Sequence, residues 1–276
     1  LSNSIGYNEF DITVSNSNNA SLGLNSPKTV NAGKLSLLQD SIMFNAIKEF
    51  DIEQLSNPLS TAVGVELRHE YFEIDNGELA SYIDGGVPVL DGPNAGAVTE
   101  PGIQSYTGFT PNNAVKEDRQ SISLYLDIEN DINEHLLLQT AWRYEYFTDF
   151  GRTFNGKLAT HYQLNDQVRL RGSFSTGFRA PSLSQSHFSR TSTTIDLARS
   201  PQLQEVGFFK VDDPIAQATG AEELDAETSK HLSAGFIFTP LENLQVELDA
   251  FYIRVNDGIV LSDEISANAS VVPNVV

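Results

Sequence analysis

The sequence predicts an all-β protein, an antiparallel up-and-down meander of about nine strands that forms part of a larger transmembrane β-barrel. Three observations favour this fold class. Apolar and polar residues alternate with a period of two along many segments. Long and short connections are sorted to opposite ends of the strands. Several strands are long enough to cross a bilayer at a tilt, which takes about 9–11 residues, whereas soluble strands usually run about five or six.

The clearest alternation lies in residues 136–147, which read LLLQTAWRYEYF. Leu138 and Trp142 point to one side of such a strand, and Arg143 and Glu145 point to the other. The segment therefore has one apolar and one polar face. No segment of comparable length shows a helical period, so we predict no sizeable helix.

The same alternation, strong or weak, recurs along the chain and defines the remaining strands. The predicted strands are 5–14, 35–50, 59–72, 119–131, 135–147, 153–163, 168–175, 229–239 and 244–252. One face is expected to be apolar and outward, with Ile122, Leu124, Leu138, Trp142, Leu170, Phe174, Val246 and Leu248. The opposite, inward face is expected to carry Arg143, Glu145, Arg169, Arg171 and Glu247.

Connection lengths alternate between long and short. The short connections carry the Asn, Asp and Pro of tight turns and lie at 51–58, 132–135, 164–166 and 240–243. The long ones lie near 15–34, 73–118 and 179–228, with the brief link 148–152 as the exception. Bacterial outer-membrane barrels separate short periplasmic turns from long outer loops in this way. A soluble β-sandwich also has alternating strands, so the alternation by itself leaves that alternative open.

Aromatic residues are concentrated where the strands meet the long connections. They are Tyr71, Phe72, Tyr144, Tyr146, Phe147, Phe150 and Phe154. In a membrane barrel this concentration predicts a girdle at the membrane interface, whereas in a sandwich the same side chains would fill the core.

Composition excludes several classes of protein. The 276 residues include 37 acidic and 17 basic side chains, a formal charge of −20, which argues against a nucleic-acid partner because phosphate binding needs clustered Lys and Arg. Cysteine is absent, so disulfides, thiol catalysis and cysteine–zinc sites are excluded. The first residues contain no basic region followed by an apolar run, so we expect a signal peptide to be missing or to have been removed before this numbering begins.

A string near the middle of the chain resembles a known family. Residues 175–183, STGFRAPSL, are similar to the strand exit before a large outer loop in TonB-dependent outer-membrane receptors. Residues 143–150 and 156–158 resemble the segment that precedes this exit. After the loop, the family's pattern is matched by Leu224, Glu227, Ser229, Gly235 and Phe236, with Ala226 where a proline is usual. Segment 249–262 resembles the next strand. The resemblance covers about 119–262 and rests on layout alone over 1–118.

The resemblance implies a partial domain. Receptors of this family carry an N-terminal plug, a short box that pairs with TonB and about 22 strands, and nothing in this chain resembles plug or box. About nine strands cannot close such a barrel. We therefore expect residues 1–276 to be a partial receptor β-barrel domain, an internal or truncated piece with long outer loops near 15–34, 73–118 and 179–228.

The resemblance also implies a function. The expected protein is a receptor in the outer membrane of a Gram-negative bacterium, in contact with outer-membrane lipid. It would transport a scarce nutrient, namely a siderophore, haem, cobalamin or oligosaccharide, energised by the TonB complex through a plug domain and without a cofactor or covalent chemistry. The alternatives are a passive porin or adhesin barrel and a secreted carbohydrate-binding β-sandwich.

Candidate ligand contacts follow from inward positions near the long-loop ends. They are Arg143, Glu145 and Asn155 on the strands, and Arg179 and Phe208 in the connection 179–228. That connection also holds Phe188, Phe209, Arg190, Arg199 and Lys210, a balance that suits anionic or hydroxyl-rich ligands. A mobile cover without ligand contact is the alternative for this loop.

Catalytic and metal sites are not expected. None of the five histidines lies in an HxxxH or HExxH pattern, and no GxSxG elbow is present, so we predict no enzyme. The acidic connection 73–118 would offer oxygen ligands to calcium, but it lacks EF-hand spacing. A solvated acidic loop is the expected state, and we predict no metal site.

Overall fold

The computed structural model describes residues 1–53, 55, 57–195, 203–262 and 265. Nine strands form one antiparallel sheet in the order β1-β2-β3-β4-β5-β6-β7-β10-β11, and β8 and β9 form a separate hairpin. The strands are β1 Ser2–Ser15, β2 Thr29–Phe50, β3 Leu59–Asn76, β4 Val115–Asn133, β5 Leu136–Phe147, β6 Gly151–Asn165, β7 Val168–Arg179, β8 Arg190–Ile195, β9 Leu203–Phe208, β10 Glu227–Leu241 and β11 Leu244–Asn256.

The predicted meander is confirmed. Each strand of the large sheet pairs with its neighbour in the chain, apart from the β8–β9 hairpin inserted between β7 and β10. The helices are short, and the two α-helices α1 and α2 span only Leu183–His187 and Pro214–Ala218. Within the described part of the chain, no helix has the length and apolar character needed to span a membrane. The sheet is a partial barrel, whose first and last strands each pair on one side within the described residues.

Tight turns join the strands at the short-connection end, as the sequence predicts. In the β4–β5 turn the side-chain oxygen of Asn133 accepts a hydrogen bond from the backbone N–H of His135, at 2.9 Å. In the β6–β7 turn Asn165 does the same for Gln167 and Val168. These local bonds replace a backbone turn, which is why Asn terminates both strands.

The two faces of the sheet are distinguished by cross-strand register, because directly paired residues share a face. Leu124 on β4 pairs with Val65 on β3 and Tyr144 on β5, all apolar or aromatic. Leu170 on β7 pairs with Tyr162 and Phe236. We call this the outer face. It remains uncovered within the described residues, and Leu248 is 70% exposed.

The outer face contradicts the sandwich alternative. A sandwich would bury the apolar set between two sheets, whereas Ile122, Trp142 and Phe174 are all exposed. The opposite, inner face carries Arg143, Glu145, Arg169, Arg171 and Glu247, as expected.

The enclosed core lies at the long-loop end, on the inner face. Phe72 and Ile74 of β3 are buried there against Phe109 and Leu183, which come from two long connections. Ile12, Leu35, Val115 and Phe188 pack around them. The long connections are therefore folded onto the sheet rather than extended away from it.

Strands β2 to β4 are longer than predicted at the long-loop end because their apolar face switches sides. On β3, Val65 and Leu67 point outward, but Phe72 and Ile74 point inward. The alternation changes phase between these pairs, so a pattern search stops there although backbone pairing continues. Residues 29–34 and 73–76, assigned to loops from the sequence, are strand. The long connections between strands of the large sheet are 16–28, 77–114 and 180–226.

The predicted aromatic girdle is correct only in part. Tyr144, Tyr146 and Phe154 are exposed on the outer face, where Phe154 pairs with Tyr144. Phe72 and Phe147 are buried instead. Phe147 stacks on Phe150 at 4.4 Å between ring centroids, so these aromatics stabilise the strand ends rather than a membrane interface.

Candidate functional site

A charged network crosses the inner face of β3, β4 and β5. Nη2 of Arg143 donates to Glu66 at 2.8 Å and to Glu145 at 2.9 Å. Arg68 donates to Glu66 at 2.7 Å, and the Ser123 hydroxyl donates to Glu145 at 2.8 Å. Both carboxylates are buried, so this pairing offsets the cost of removing them from water.

The structure brings three of the five predicted contact residues together. Asn155 on β6 pairs in register with Arg143 on β5, so the two residues are neighbours on the inner face. Glu145 is two residues away on the same face. Among the described residues, the hydrogen bonds of Arg143 use only Nη2, which leaves Nε and Nη1 for another partner.

Arg179 lies at the exit of β7 and is held by an ion pair. Its Nε and Nη2 each donate to Glu227, at the start of β10, at 2.6 Å. Glu227 also accepts a bond from the backbone N–H of Ile259 at 2.8 Å. The hydrogen bonds from Arg179 and, secondarily, from this N–H lower the pKa of Glu227 to about 2. This ion pair holds the two ends of the long connection 180–226 together.

Phe208, the fifth predicted residue, ends strand β9 and remains 46% exposed. Its ring lies 6.3 Å from that of Phe188, which in turn meets the buried Phe109 edge-on at 6.1 Å. Phe208 is thus the outermost ring of an aromatic series that begins in the core. Arg199 and the rest of 196–202, assigned to the same loop from the sequence, lie outside the described residues.

Sequence reasoning missed Arg119, a buried side chain that joins three segments at the long-loop end. It is only 4% exposed, and its Nε and Nη2 donate to Glu70 at 2.9 and 2.7 Å. Nη1 donates to Asp149 at 3.3 Å and to the carbonyl of Pro181 at 2.6 Å. The inward phase of Arg119 is readable from alternation, but its partners lie on distant segments that no local pattern connects.

The root of the connection 180–226 is fixed to the sheet. Ser182 caps α1 by accepting from Gln185 N–H, and the Gln185 side chain accepts from Ser182 N–H in return. This capping box sets the direction of a helix whose first residue, Leu183, enters the core. Arg119 and α1 together hold the loop at its start.

The connections 16–28 and 77–114 are joined by fully buried polar side chains. Asn19 donates to the carbonyls of Ala80 and Ile83, at 3.0 and 2.8 Å. The Ser21 hydroxyl donates to Asn19 at 2.6 Å and accepts from Gly85 N–H at 2.9 Å. The polar groups of Asn19 and Ser21 find their hydrogen-bond partners inside the protein. The two connections are therefore held together as one ordered cap.

A cleft of about 210 Å³ lies where β8 meets the connection 77–114. Arg190 stacks on the ring of Tyr106 at 3.7 Å, and Asn113 lies 3.4 Å from the hydroxyls of Ser189 and Thr191. These contacts hold the two walls together. The lining residues are Tyr82, Pro101, Thr107, Thr110, Pro111, Asn112, Thr191, Ser192 and Thr193.

The acidic loop considered for calcium is less acidic than its sequence limits indicate. Glu73 and Asp75 belong to β3 and are paired with Lys116 and Lys34, while Asp118 belongs to β4. Among the residues that the structure describes, no three His, Asp or Glu side chains converge in a way that would hold a metal ion.

A family model described as TonB dependent receptor-like, beta-barrel matches residues 2–275. Among solved structures, the siderophore receptor PirA from Acinetobacter baumannii is 15% identical over 92% of this chain and 32% of its own, with a TM-score of 0.54. PirA from Pseudomonas aeruginosa is 16% identical over 82% and 34%, with a TM-score of 0.51. A ferric enterobactin receptor (PfeA) mutant from Pseudomonas aeruginosa is 14% identical over 91% and 31%, with a TM-score of 0.52.

These structural matches establish the fold. The chain spans about a third of the length of the solved structures that it resembles. A comparison with curated protein sequences finds no match.

Proposed function

Because the chain belongs to the TonB-dependent receptor-like β-barrel family, we propose that it forms part of the wall of an outer-membrane receptor in a Gram-negative bacterium. The receptor binds a scarce, bulky nutrient at its long-loop end. It admits the nutrient when the energised TonB complex acts through a plug domain. No covalent chemistry takes place, because the work of the barrel is binding and passage.

The observation that carries this proposal is the division of one sheet into two opposite faces. Every strand of the large sheet presents exposed apolar side chains on the outer face, which suits contact with outer-membrane lipid. The inner face carries the network of Arg143, Glu66 and Glu145, which suits a polar lumen. At the long-loop end the connections fold inward and place polar and aromatic groups over the lumen.

We assign ligand contact to Arg143, Glu145, Asn155, Arg179 and Phe208. Arg143 retains two guanidinium nitrogens, Nε and Nη1, that make no hydrogen bond among the described residues, and Asn155 supplies an amide on the neighbouring strand of the same face. Phe208 offers a partly exposed ring at the loop surface. The PirA and PfeA relatives are named as receptors for siderophores and ferric enterobactin, which supports the class of scarce nutrients. Siderophore, haem, cobalamin and oligosaccharide are the candidate ligands.

Growth on a limiting nutrient tests the proposal in the full-length receptor. Deletion of 186–222 removes most of the connection that carries Phe208, and we expect uptake to fall at least about tenfold, the effect of losing about 1.4 kcal/mol of binding. Removal of the distal tip 90–97 is the matched control and should leave uptake near the parent level. Undiminished uptake after the first deletion would contradict a ligand role for this loop.

Energy dependence separates the receptor from a passive barrel. A TonB-energised receptor should lose uptake when the inner-membrane proton gradient is collapsed, while its ligand binding persists. A passive porin would continue to admit small solutes under the same treatment. Uptake that survives collapse of the gradient would favour the porin.

A further inference from the structure

The cleft between β8 and the connection 77–114 has a chemistry unlike the rest of the chain. One residue in five of the sequence is charged, yet among the described residues that line the cleft none carries a charge. The lining consists of hydroxyl groups, one amide and two prolines. An uncharged lining at the mouth of a strongly acidic protein selects by hydrogen bonding and shape rather than by charge.

Several hydrogen-bonding groups of the lining are free to meet a ligand. Within the described part of the chain, no hydrogen bond uses the Tyr82 hydroxyl, the Thr107 hydroxyl or the Asn112 amide. Thr110, by contrast, is engaged with Asn113 and fixes the wall. The cleft thus combines a rigid frame with unused donors and acceptors. Because the frame is already ordered, little conformational entropy of the protein is lost when a ligand binds.

We propose that this cleft binds one sugar unit of an uncharged, hydroxyl-rich ligand, an inference that rests on the receptor function proposed above. Sugar hydroxyls match donors and acceptors such as those of Tyr82 and Asn112, and Pro101 and Pro111 offer apolar surface to the C–H faces of a ring. The volume of about 210 Å³ lies below the ~300–1,000 Å³ of pockets for drug-sized ligands, so it suits a single ring of a longer chain.

An anionic metal chelate fits this cleft poorly. Arg190, which precedes the lining residue Thr191, is stacked on Tyr106, and its Nη2 donates to the carbonyl of Thr107 at 3.5 Å. Its Nε is buried and has no hydrogen-bond partner among the residues that the structure describes, so the group is turned toward the protein. No compensating positive charge remains in the lining for an anion.

Calorimetric titration of the full-length receptor in lipid nanodiscs tests the proposal. The probes are maltohexaose, cellohexaose and xylohexaose, with a ferric catecholate siderophore as the charged comparison. Asn112→Asp places a carboxylate in the cleft, whereas Asn94→Asp adds the same charge at the exposed tip of the same connection. We expect saturable binding of at least one hexasaccharide, weakened about tenfold by Asn112→Asp and unchanged by Asn94→Asp.

Tyr82→Phe provides a second variant that adds no charge and removes one hydroxyl, and it should weaken the same sugar severalfold. Absence of binding by all three sugars, or equal affinities of the Asn112 and Asn94 variants, would overturn the sugar assignment. If the siderophore binds and none of the three sugars does, only the cleft assignment fails, because the receptor still binds a nutrient. If no probe binds and the receptor supports no uptake, the receptor function itself fails.

Discussion

At the residue scale, Gly64 shows why a glycine stands in the middle of a long strand. Tyr125 on the neighbouring strand lays its ring across Gly64, and its hydroxyl donates to Asn45 on the strand beyond. A methyl group at position 64 would lie well inside contact distance of that ring. The missing side chain therefore allows a bond between two strands that are not adjacent. Gly235 does the same for the ion pair of Arg171 and Asp249.

Replacement of Gly64 tests this account. Gly64→Ala should lower the unfolding free energy of the lipid-reconstituted receptor by about 1–3 kcal/mol, the usual cost of overpacking. Gly172→Ala is the control, because its new methyl group would meet only ordinary contacts at 3.7 and 4.0 Å. The control should be neutral or slightly stabilising, since alanine loses less backbone entropy than glycine. Equal losses in the two variants, measured by urea titration, would refute the crossing ring as the cause.

The Arg179–Glu227 pair predicts a pH response at the loop ends, beyond the apolar outer belt. Because the folded pKa of Glu227 is lowered to about 2 from an ordinary value near 4.5, the pair stabilises the closed loop above about pH 4.5. That contribution is lost as the pH falls from 4.5 toward 2. A nitroxide at Asp225→Cys should become more mobile over this window, by electron paramagnetic resonance.

Glu227→Gln is the reference for the pH experiment, because the amide has no charge to titrate. Its spin label should be mobile at pH 6 and should change little on acidification. A parent protein whose label keeps the same mobility from pH 6 to pH 2 would show that the ion pair does not hold the loop.

For individual site residues, the sequence predicted only the face of the sheet on which each side chain lies. Alternation places Arg143, Glu145 and Asn155 on the inner face, and the structure agrees. It contains no information on which partner each charge finds, since Glu66 lies 77 residues from Arg143. Arg119 was missed for the same reason, because its contacts to Glu70, Asp149 and Pro181 all cross between segments.

At the element scale, the switch of the apolar face explains both what the sequence predicted and what it did not. Alternation located all nine sheet strands, because each has a stretch with one apolar side. The predicted strands β2 to β4 stop short of their observed ends near the long loops. Beyond Leu67, toward the long-loop end, the apolar side chains point inward under the folded connections. The hairpin β8–β9 was missed because β8 consists mainly of hydroxyl-bearing residues and β9, LQEVGF, does not alternate strictly between apolar and polar residues.

The packed root of the connection 180–226 predicts uneven mobility along that loop. Leu183 is buried in the core, so Leu183→Ala should cost about 2–5 kcal/mol and release α1 from the sheet. Hydrogen exchange should then accelerate in 77–114 and 180–191 together. Leu79→Ala, at a mostly exposed side chain of the cap, is the control and should leave both segments protected. Acceleration confined to α1 would contradict a shared core.

At the whole-molecule scale, the described residues present an apolar face and leave both edges of the large sheet without a neighbouring strand. β1 and β11 each pair on one side only within the described residues, and the outer face is exposed. Both features promote association in water. We expect this polypeptide, expressed without membrane or detergent, to sediment as aggregates. A monodisperse species that melts cooperatively would contradict the assignment of the outer face to lipid.

The central claim, that the apolar outer face meets lipid while the inner face meets water, is tested most directly along β4. The chain contains no cysteine, so single cysteines can be introduced and spin-labelled at Ile122, Leu124 and Leu126 and at Ser121, Asp127 and Glu129. In the full-length receptor in bilayers, the first three labels should be relaxed mainly by oxygen, which concentrates in lipid. The other three should be relaxed mainly by a water-soluble nickel chelate. Protection of the first three positions from both reagents, as in an enclosed core, would contradict the account.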